Sequence, residues 1–446
     1  MEFFIKISQF LLSLSLLIIL HELGHFIPAK LFKTRVEKFY LFFDVKFSLF
    51  KKKVGETVYG IGWLPLGGYV KISGMIDESM DTKQIEKEPQ SWEFRSKPSW
   101  QRLIIMLGGV TVNFLLAAII YIIMAFVYGS TDIDAKSVRD GYAINNPVFE
   151  NIGLKTGDNI LAINGKEITY VSDIRKQILT AKTITIERGG QLKIVEFPVD
   201  FLGQLSSSKK KGFIELRTPF IFDNPIEGSL NSDVDIIAGD LLLSIEGSEA
   251  KFLDQTIPLI VDKKGQTVDV TIQRKGNLLE RRLQLNGQGK FEFFLKASAK
   301  DFESAGFYKI IKKDYNLGQS IGVGLDQFSS TVVGYWAQLK LIFSPSTGAY
   351  KGVGGFKAIF DIFPASWNWQ DFWALTAFLS IMLGVLNLFP IPALDGGHVG
   401  FLLYEMLSGR KPNDKFMEYA QTVGFFILIA LVLFANGNDI FKAIFS

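Results

Sequence analysis

The sequence contains no cysteine and only three histidines, His21, His25 and His398, among its 446 residues. Disulfides and thiolate metal ligands are therefore excluded, and any transition-metal site must be built from histidine and carboxylate groups. Net charge is also nearly absent, because 48 Lys and Arg face 45 Asp and Glu to give +3. Nucleic-acid-binding proteins cluster basic residues without acidic company, so we expect no nucleic-acid partner.

Apolar sequence is abundant instead. Hydrophobic residues make up 48% of the chain, and its mean hydropathy of +0.23 is on the membrane side of ordinary usage. We predict a multi-span α-helical membrane protein with four spans, at about residues 5–27, 103–128, 372–392 and 420–436. No small-residue cleavage site follows the first apolar run, so we interpret it as an uncleaved span and not as a signal peptide.

Basic residues near the ends of the spans predict their orientation, because Lys and Arg are retained on the cytoplasmic side of a membrane. The loop over residues 30–102 is rich in both, and Arg410, Lys411 and Lys415 lie between the last two spans. We therefore predict that both loops are cytoplasmic. Both termini and residues 129–371 are then extracytoplasmic.

The predicted outer region contains an internal repeat. LKTGDNILAINGKEI (154–168) matches IIAGDLLLSIEGSEA (236–250), with the Gly-Asp pair and the later glycine at a constant offset. A short helical pattern and an alternating strand follow each copy. This order resembles the PDZ domain, so we predict PDZ-like α+β domains at 129–214 and 215–299; two small α+β domains without a peptide groove are the alternative. We predict amphipathic helices on the outer surface for residues 300–371.

The cytoplasmic loop has strand character. TVYGIGWLPLGGYVKISG (57–74) mixes β-branched and aromatic residues with closely spaced glycines, which predicts a curved, membrane-associated β-ribbon. Gly67 and Gly68 are among the glycines that would allow another backbone to approach closely.

The first span carries HELGH at residues 21–25. His21 and His25 are four residues apart, so they share one helix face and their nitrogens can converge on one ion, Zn²⁺ by preference. Glu22 then lies beside the metal, where it can accept a proton from the attacking water. In a soluble helix the same residues could form an exposed polar face. Within a membrane span they are costly unless they line a wet or metal-filled cavity, which favours the metal site.

A catalytic zinc takes three protein ligands and keeps one position open, so one ligand is missing. NLFPIPALDGGHVG (387–400) offers two candidates, Asp395 and His398, in a segment that we predict to be a loop over residues 393–398. Gly396 and Gly397 follow Asp395, and their conformational freedom could direct the carboxylate into the bundle. An Asx-type cap is the alternative role for Asp395.

Taken in chain order, HELGH, LGGYVKISGM, GGVTVNFLLA, the tandem repeats and NLFPIPALDGG resemble the site-2 protease family. The resemblance is to its RseP-like branch of bacterial intramembrane zinc metalloproteases with tandem PDZ domains. It implies that His21, His25 and Asp395 bind zinc and that Glu22 is the catalytic acid and base. It gives His398 no ligand role.

The resemblance also implies how substrate is held. Asn387, with Pro390 and Pro392 breaking the helix, would hold the substrate chain near the metal. An extended substrate could pair with the edge of the ribbon that contains Gly67 and Gly68.

The function implied is cleavage of transmembrane segments of single-span proteins in the bacterial inner membrane, surrounded by lipid. An upstream site-1-type protease would act first, and the family's substrates are anti-sigma factors and remnant signal peptides. The PDZ-like pair would then be a size filter or a peptide binder. A non-catalytic membrane scaffold with a structural metal is the alternative. A transporter is disfavoured because the spans show no repeat.

Overall fold

A computed structural model describes residues 1–65, 67–75, 88–208, 210 and 212–445. Its helices are α1 Glu2–Leu31, α2 Ser99–Tyr128, α3 Pro147–Asn151, α4 Val171–Ile178, α5 Phe201–Ser207, α6 Leu253–Ile260, α7 Ala299–Ser304, α8 Leu317–Ile342, α9 Phe356–Asp361, α10 Trp369–Asn387, α11 Asp395–Ser408 and α12 Asp414–Phe445. Its strands are β1 Val36–Leu41, β2 Phe43–Val54, β3 Thr57–Leu64, β4 Tyr69–Ile72, β5 Ser130–Ile133, β6 Tyr142–Ile144, β7 Asn159–Ile163, β8 Lys166–Glu167, β9 Thr183–Arg188, β10 Gln191–Glu196, β11 Ile214–Leu216, β12 Phe222–Pro225, β13 Leu241–Ile245, β14 Ser248–Glu249, β15 Thr267–Arg274, β16 Asn277–Gln284, β17 Phe293–Leu295 and β18 Ile310–Lys313.

The chain forms two compact units. The first comprises residues 1–129, 314–340 and 353–446, and the second comprises residues 130–313 and 341–352. Within the described part of the chain, four helices of the first unit are long and apolar enough to cross a membrane: Glu2–Leu31, Ser99–Tyr128, Trp369–Asn387 and Lys415–Phe441. The predicted number of spans is therefore confirmed by length and composition.

The third span is shorter than predicted, because α10 ends at Asn387 and not near residue 392. Pro390 and Pro392 explain the early end. Proline has no N–H to continue the helical ladder, and it disfavours the helical conformation of the residue before it.

Glycines bring α1 and α2 into backbone contact. A Cβ on Gly24 would overlap the carbonyl oxygen of Gly108, and a Cβ on Gly108 would overlap the carbonyl oxygen of Gly24. Small residues permit such close approach of membrane helices, where packing replaces the hydrophobic driving force. Buried hydroxyls add a link from α1 to α10, since Thr376 Oγ1 donates to Ser13 Oγ at 3.0 Å.

The loop between the first two spans folds into a four-stranded sheet in the order β2-β3-β1-β4. β1 and β3 are parallel, whereas β1–β4 and β2–β3 are antiparallel. The segment predicted as a ribbon therefore forms two strands that are not neighbours. Among the described strands of this sheet, β3 is interior and β4 is at one edge. On the β2–β3 side, the rings of Phe47 and Trp63 stack with centroids 5.7 Å apart while both stay largely exposed, as expected at a membrane interface.

Residues 300–371 differ from the expected surface helices. β18 pairs with β5. α8 packs against two of the predicted spans. Phe328 of α8 contacts Phe114 of α2 with ring centroids 6.0 Å apart, and Tyr335 contacts Phe378 of α10 at 6.0 Å. These contacts were not predicted from the sequence, and the assignment of residues 300–371 to the outer surface stays a prediction.

The second unit contains the two repeats as similar sheets, β10-β9-β7-β8 and β14-β13-β15-β16. The shared aspartates are structural. Buried Asp158 accepts from Arg188 Nε at 2.6 Å and Nη2 at 2.7 Å. Buried Asp240 accepts from Arg274 in the same way, at 2.9 and 2.8 Å. The Gly-Asp signature therefore ties the start of one strand to the end of a neighbour, and the PDZ assignment stays a prediction.

Candidate metal centre

The two histidines of HELGH lie on the buried face of α1. Their rings are nearly perpendicular with centroids 4.8 Å apart, and their Nε2 atoms are 3.3 Å apart. His25 Nδ1 lies 2.8 Å from the backbone carbonyl oxygen of Ile105 on α2. A carbonyl oxygen can only accept, so Nδ1 carries the proton and the lone pair of Nε2 remains available for a metal.

The third donor comes from the polypeptide that follows α10. The turn after Asn387 contains Ala393 at φ +92°, a conformation that residues other than glycine seldom adopt. Asp395 then begins α11, so the segment predicted as a loop over residues 393–398 belongs largely to the first turn of a helix. The carboxylate emerges at this helix start.

Gly396 and Gly397 are required for space and not for conformational freedom, which corrects the reason given from the sequence. Both lie in α11, and neither has a positive φ. A Cβ on Gly396 would overlap the carbonyl oxygen of Phe389, and one on Gly397 would lie 2.5 Å from the carbonyl oxygen of Ile391. The absence of side chains lets α11 start directly against the turn.

Asp395 Oδ2 lies 3.4 Å from His21 Nε2 and 3.3 Å from His25 Nε2. The three donor atoms thus form a nearly equilateral triangle. Tetrahedral ligands bound to zinc at about 2.0–2.1 Å stand about 3.3–3.4 Å from one another, so the donor set fits this ion. Asp395 Oδ2 is also buried and has no hydrogen-bond partner in the described part of the chain, as expected of an oxygen that binds a metal.

Glu22 is outside the donor triangle and lines the same cavity of about 470 Å³ as His21, His25 and Asp395. The backbone N–H of Val70 in β4 is close enough to stabilise its carboxylate electrostatically. Glu22 is thus held beside the metal position by the edge strand, which suits a proton carrier better than a ligand.

The predicted substrate residues divide into two groups. Asn387 and Gly68 line the cavity, and Asn387 Nδ2 lies 3.3 Å from His21 Nε2. Gly67, Pro390 and Pro392 are not among its lining residues. The prolines instead shape the turn toward Asp395, and a Cβ on Gly67 would lie 2.9 Å from the Phe43 ring.

Gly68 also has a packing role. A Cβ there would overlap Ile18 and lie 2.7 Å from the Tyr40 carbonyl oxygen. The close backbone approach predicted for this glycine is therefore made by α1 and β1 of the same chain. His398 lines the cavity without belonging to the donor triangle.

Several functional groups escaped sequence reasoning. The carbonyl of Ile105 could not be found, because every residue has one. The sequence marks Gly109 and Asn113 as suited to close helix packing and an interhelical hydrogen bond on one helix face, but it does not identify the histidines as their neighbours. Asn113 Nδ2 lies 3.1 Å from His21 Nδ1.

The chain is similar to several known proteins. The family model of Peptidase family M50 matches residues 9–431. A Rickettsia conorii protein named as a predicted zinc metalloprotease is 27% identical over 447 residues, covering 98% of each chain. The regulator of sigma-E protease RseP of Escherichia coli is 26% identical over 466 residues, covering 98% of this chain and 99% of that protein. A solved PDZ domain of the SdrC-like protein from Listeria monocytogenes is 20% identical, covers 21% of this chain and 96% of that one, and has a TM-score of 0.16.

Apolar helices long enough to span a bilayer, together with a His-His-Asp centre beside a glutamate, define an intramembrane zinc metalloprotease. The chain belongs to Peptidase family M50, the site-2 proteases, since the family model covers nearly its whole length.

Proposed function

We propose that the protein hydrolyses peptide bonds within transmembrane segments of single-span membrane proteins, using zinc held by His21, His25 and Asp395. One observation carries the proposal: the three donor atoms are spaced 3.3, 3.3 and 3.4 Å apart, as tetrahedral zinc requires. The first two lie on a helix of membrane-spanning length. Three ligands leave one position open, which favours catalysis over a closed structural site and therefore over the scaffold alternative.

Bound zinc supplies Lewis acidity and an activated water at this position. Glu22 accepts the proton of the attacking water and passes it to the leaving amine. The nearby backbone N–H of Val70 favours the carboxylate on the cavity side. The Asn387 amide, near His21 Nε2, donates to the carbonyl of the bond that is cut and so orients it.

Substrate pairs with the edge strand β4 as an extended chain. One side of β4 pairs with β1, while Gly68, Tyr69, Val70, Lys71 and Ile72 line the cavity. A peptide bond within a helix is shielded by its own hydrogen bonds, so the substrate must unwind. The edge of β4 that lines the cavity supplies replacement backbone partners next to the metal position.

The E. coli relative is named a regulator of sigma-E protease. By analogy, the substrates proposed here are membrane-anchored regulators of the anti-sigma type or remnant signal peptides, first trimmed by a site-1-type protease. The basic loops support an orientation in which the metal centre is toward the cytoplasm and residues 129–371 are outside the bacterial inner membrane.

The second unit excludes substrates that still carry a large external domain. Deleting residues 135–295 should then permit cleavage of an untrimmed substrate. Loss of substrate binding without any cleavage of the untrimmed form would instead show that this unit recruits substrate.

Purified protein in proteoliposomes, with a single-span model substrate, tests the activity. Wild type should cut the transmembrane segment and lose this activity to a zinc chelator. Glu22→Gln should keep zinc and lose cleavage, while the His398→Gln control should keep both. Cleavage by Glu22→Gln at the wild-type rate would refute the catalytic assignment, and no cleavage by wild type would favour the scaffold.

A further inference from the structure

Asn113 is a buried amide in the middle of α2, a span whose neighbouring residues are apolar. It is fully buried, and Ser380 Oγ of α10 donates to its backbone carbonyl at 2.8 Å. Its side-chain nitrogen lies 3.1 Å from His21 Nδ1, while its buried Oδ1 has no hydrogen-bond partner among the residues that the structure describes. A buried amide in an apolar span is costly, so this side chain needs a functional reason.

The chemistry of His21 determines which way this amide must face. His21 offers Nε2 to the donor triangle, so its proton must be on Nδ1 when it binds a metal. Two N–H groups cannot bond to each other. Turning the amide by 180° about χ2 exchanges its oxygen and nitrogen, and then Nδ1–H of His21 donates to Asn113 Oδ1.

We propose that Asn113 is a positioning residue that fixes His21 with its proton on Nδ1 and thereby sets the zinc affinity of the centre. It does for His21 what the Ile105 carbonyl does for His25. Both acceptors belong to α2, where each lies about one turn from Gly109, on opposite sides of it along the chain. A single helix therefore orients both imidazoles. This role rests on the proposed function, because it requires His21 to be a ligand.

Zinc affinity, measured by competition with a fluorescent chelator on the purified full chain, tests the role. Asn113→Leu removes the acceptor at similar volume and should weaken binding about 10- to 100-fold. Asn113→Asp keeps an acceptor oxygen and should restore affinity. Thr376→Val is the matched control, since it removes a buried interhelical hydrogen bond away from the histidines and should leave zinc affinity unchanged.

A second readout separates positioning from a merely structural role. The chain has three histidines, so selective ¹⁵N labelling gives only three imidazoles, and His398→Gln removes one of them. In the zinc-loaded protein, the Nδ1–H of His21 should be protected from exchange in wild type and Asn113→Asp but not in Asn113→Leu.

The possible results are distinguishable. Equal zinc affinity in Asn113→Leu and wild type, or equal weakening in the Leu and Asp variants, would overturn this role while leaving the proposed function intact. A wild-type protein that binds no zinc would overturn both.

Discussion

Gly109 of α2 lies directly against His25 of α1. A Cβ at position 109 would overlap His25 Nε2 and would lie 2.6 Å from Cε1 of His21. Both imidazoles therefore pack against Gly109, and only a hydrogen atom fits at the position of a side chain. The metal centre depends on the close approach of two spans as much as on its ligands.

Gly109→Ala should displace both imidazoles and lower zinc content. We expect kcat/KM to fall by at least about 100-fold, because a displacement of about 1 Å at a reacting centre has that effect. Gly400→Ala, also within a helix but with nothing near its Cβ, is the control. Full activity of Gly109→Ala would show that α1 and α2 pack differently.

The second unit should depend on the buried carboxylate of Asp158. Arg188→Ala removes its charged partner and leaves only the backbone N–H of Lys155 bonded to it, which costs up to about 3–5 kcal/mol of unfolding free energy when the charge is buried. The control Arg282→Ala breaks an ion pair whose side chains are 80% and 66% exposed, so it should cost at most about 1 kcal/mol. Pulse proteolysis in urea measures both. Equal resistance of the two variants would contradict the structural role of the Gly-Asp signature.

Substrate should bind at β4 and not at β2, the opposite edge of the same sheet. The chain has no cysteine, so each introduced thiol is unique. In a Glu22→Gln background, Lys71→Cys should form a disulfide with a cysteine in the substrate's transmembrane segment, whereas Lys52→Cys should not. Cross-linking at position 52 and not at position 71 would show that substrate binds at β2, which contradicts the proposal.

The orientation can be tested with the same cysteine-free background. Lys210→Cys should react with a membrane-impermeant maleimide in intact spheroplasts. Lys53→Cys and Arg410→Cys should react only after the membrane is permeabilised. Labelling of Lys53→Cys in intact spheroplasts would reverse the proposed topology.

The sequence predicted those parts of the site that local geometry determines. A spacing of four residues places His21 and His25 on one helix face whatever surrounds them, and the apolar length of the spans indicated four crossings. Asp395 was different: it is far along the chain, and only the family resemblance separated it from His398. Its geometry depends on Ala393, Gly396 and the Phe389 carbonyl, which no periodicity encodes.

Long-range packing explains what the sequence could not supply. The Ile105 carbonyl and the backbone of β4 that lines the cavity are main-chain features, so no residue type marks them. Asn113 is visible as a polar residue in a span, but its partner is known only when α1 and α2 are brought together. The contacts of α8 with α2 and α10 were not predicted, because its aromatic residues are separated by polar ones in the sequence.

Zinc content per purified chain tests most directly whether His21, His25 and Asp395 are the metal ligands, because it distinguishes them from Glu22, the proposed acid and base. About one zinc should be retained by wild type, Glu22→Gln and His398→Gln, as a three-ligand site with one open position requires. Asp395→Ala should lose it on dialysis against a weak chelator. Full retention by Asp395→Ala, or loss from Glu22→Gln, would contradict the account of this metal centre.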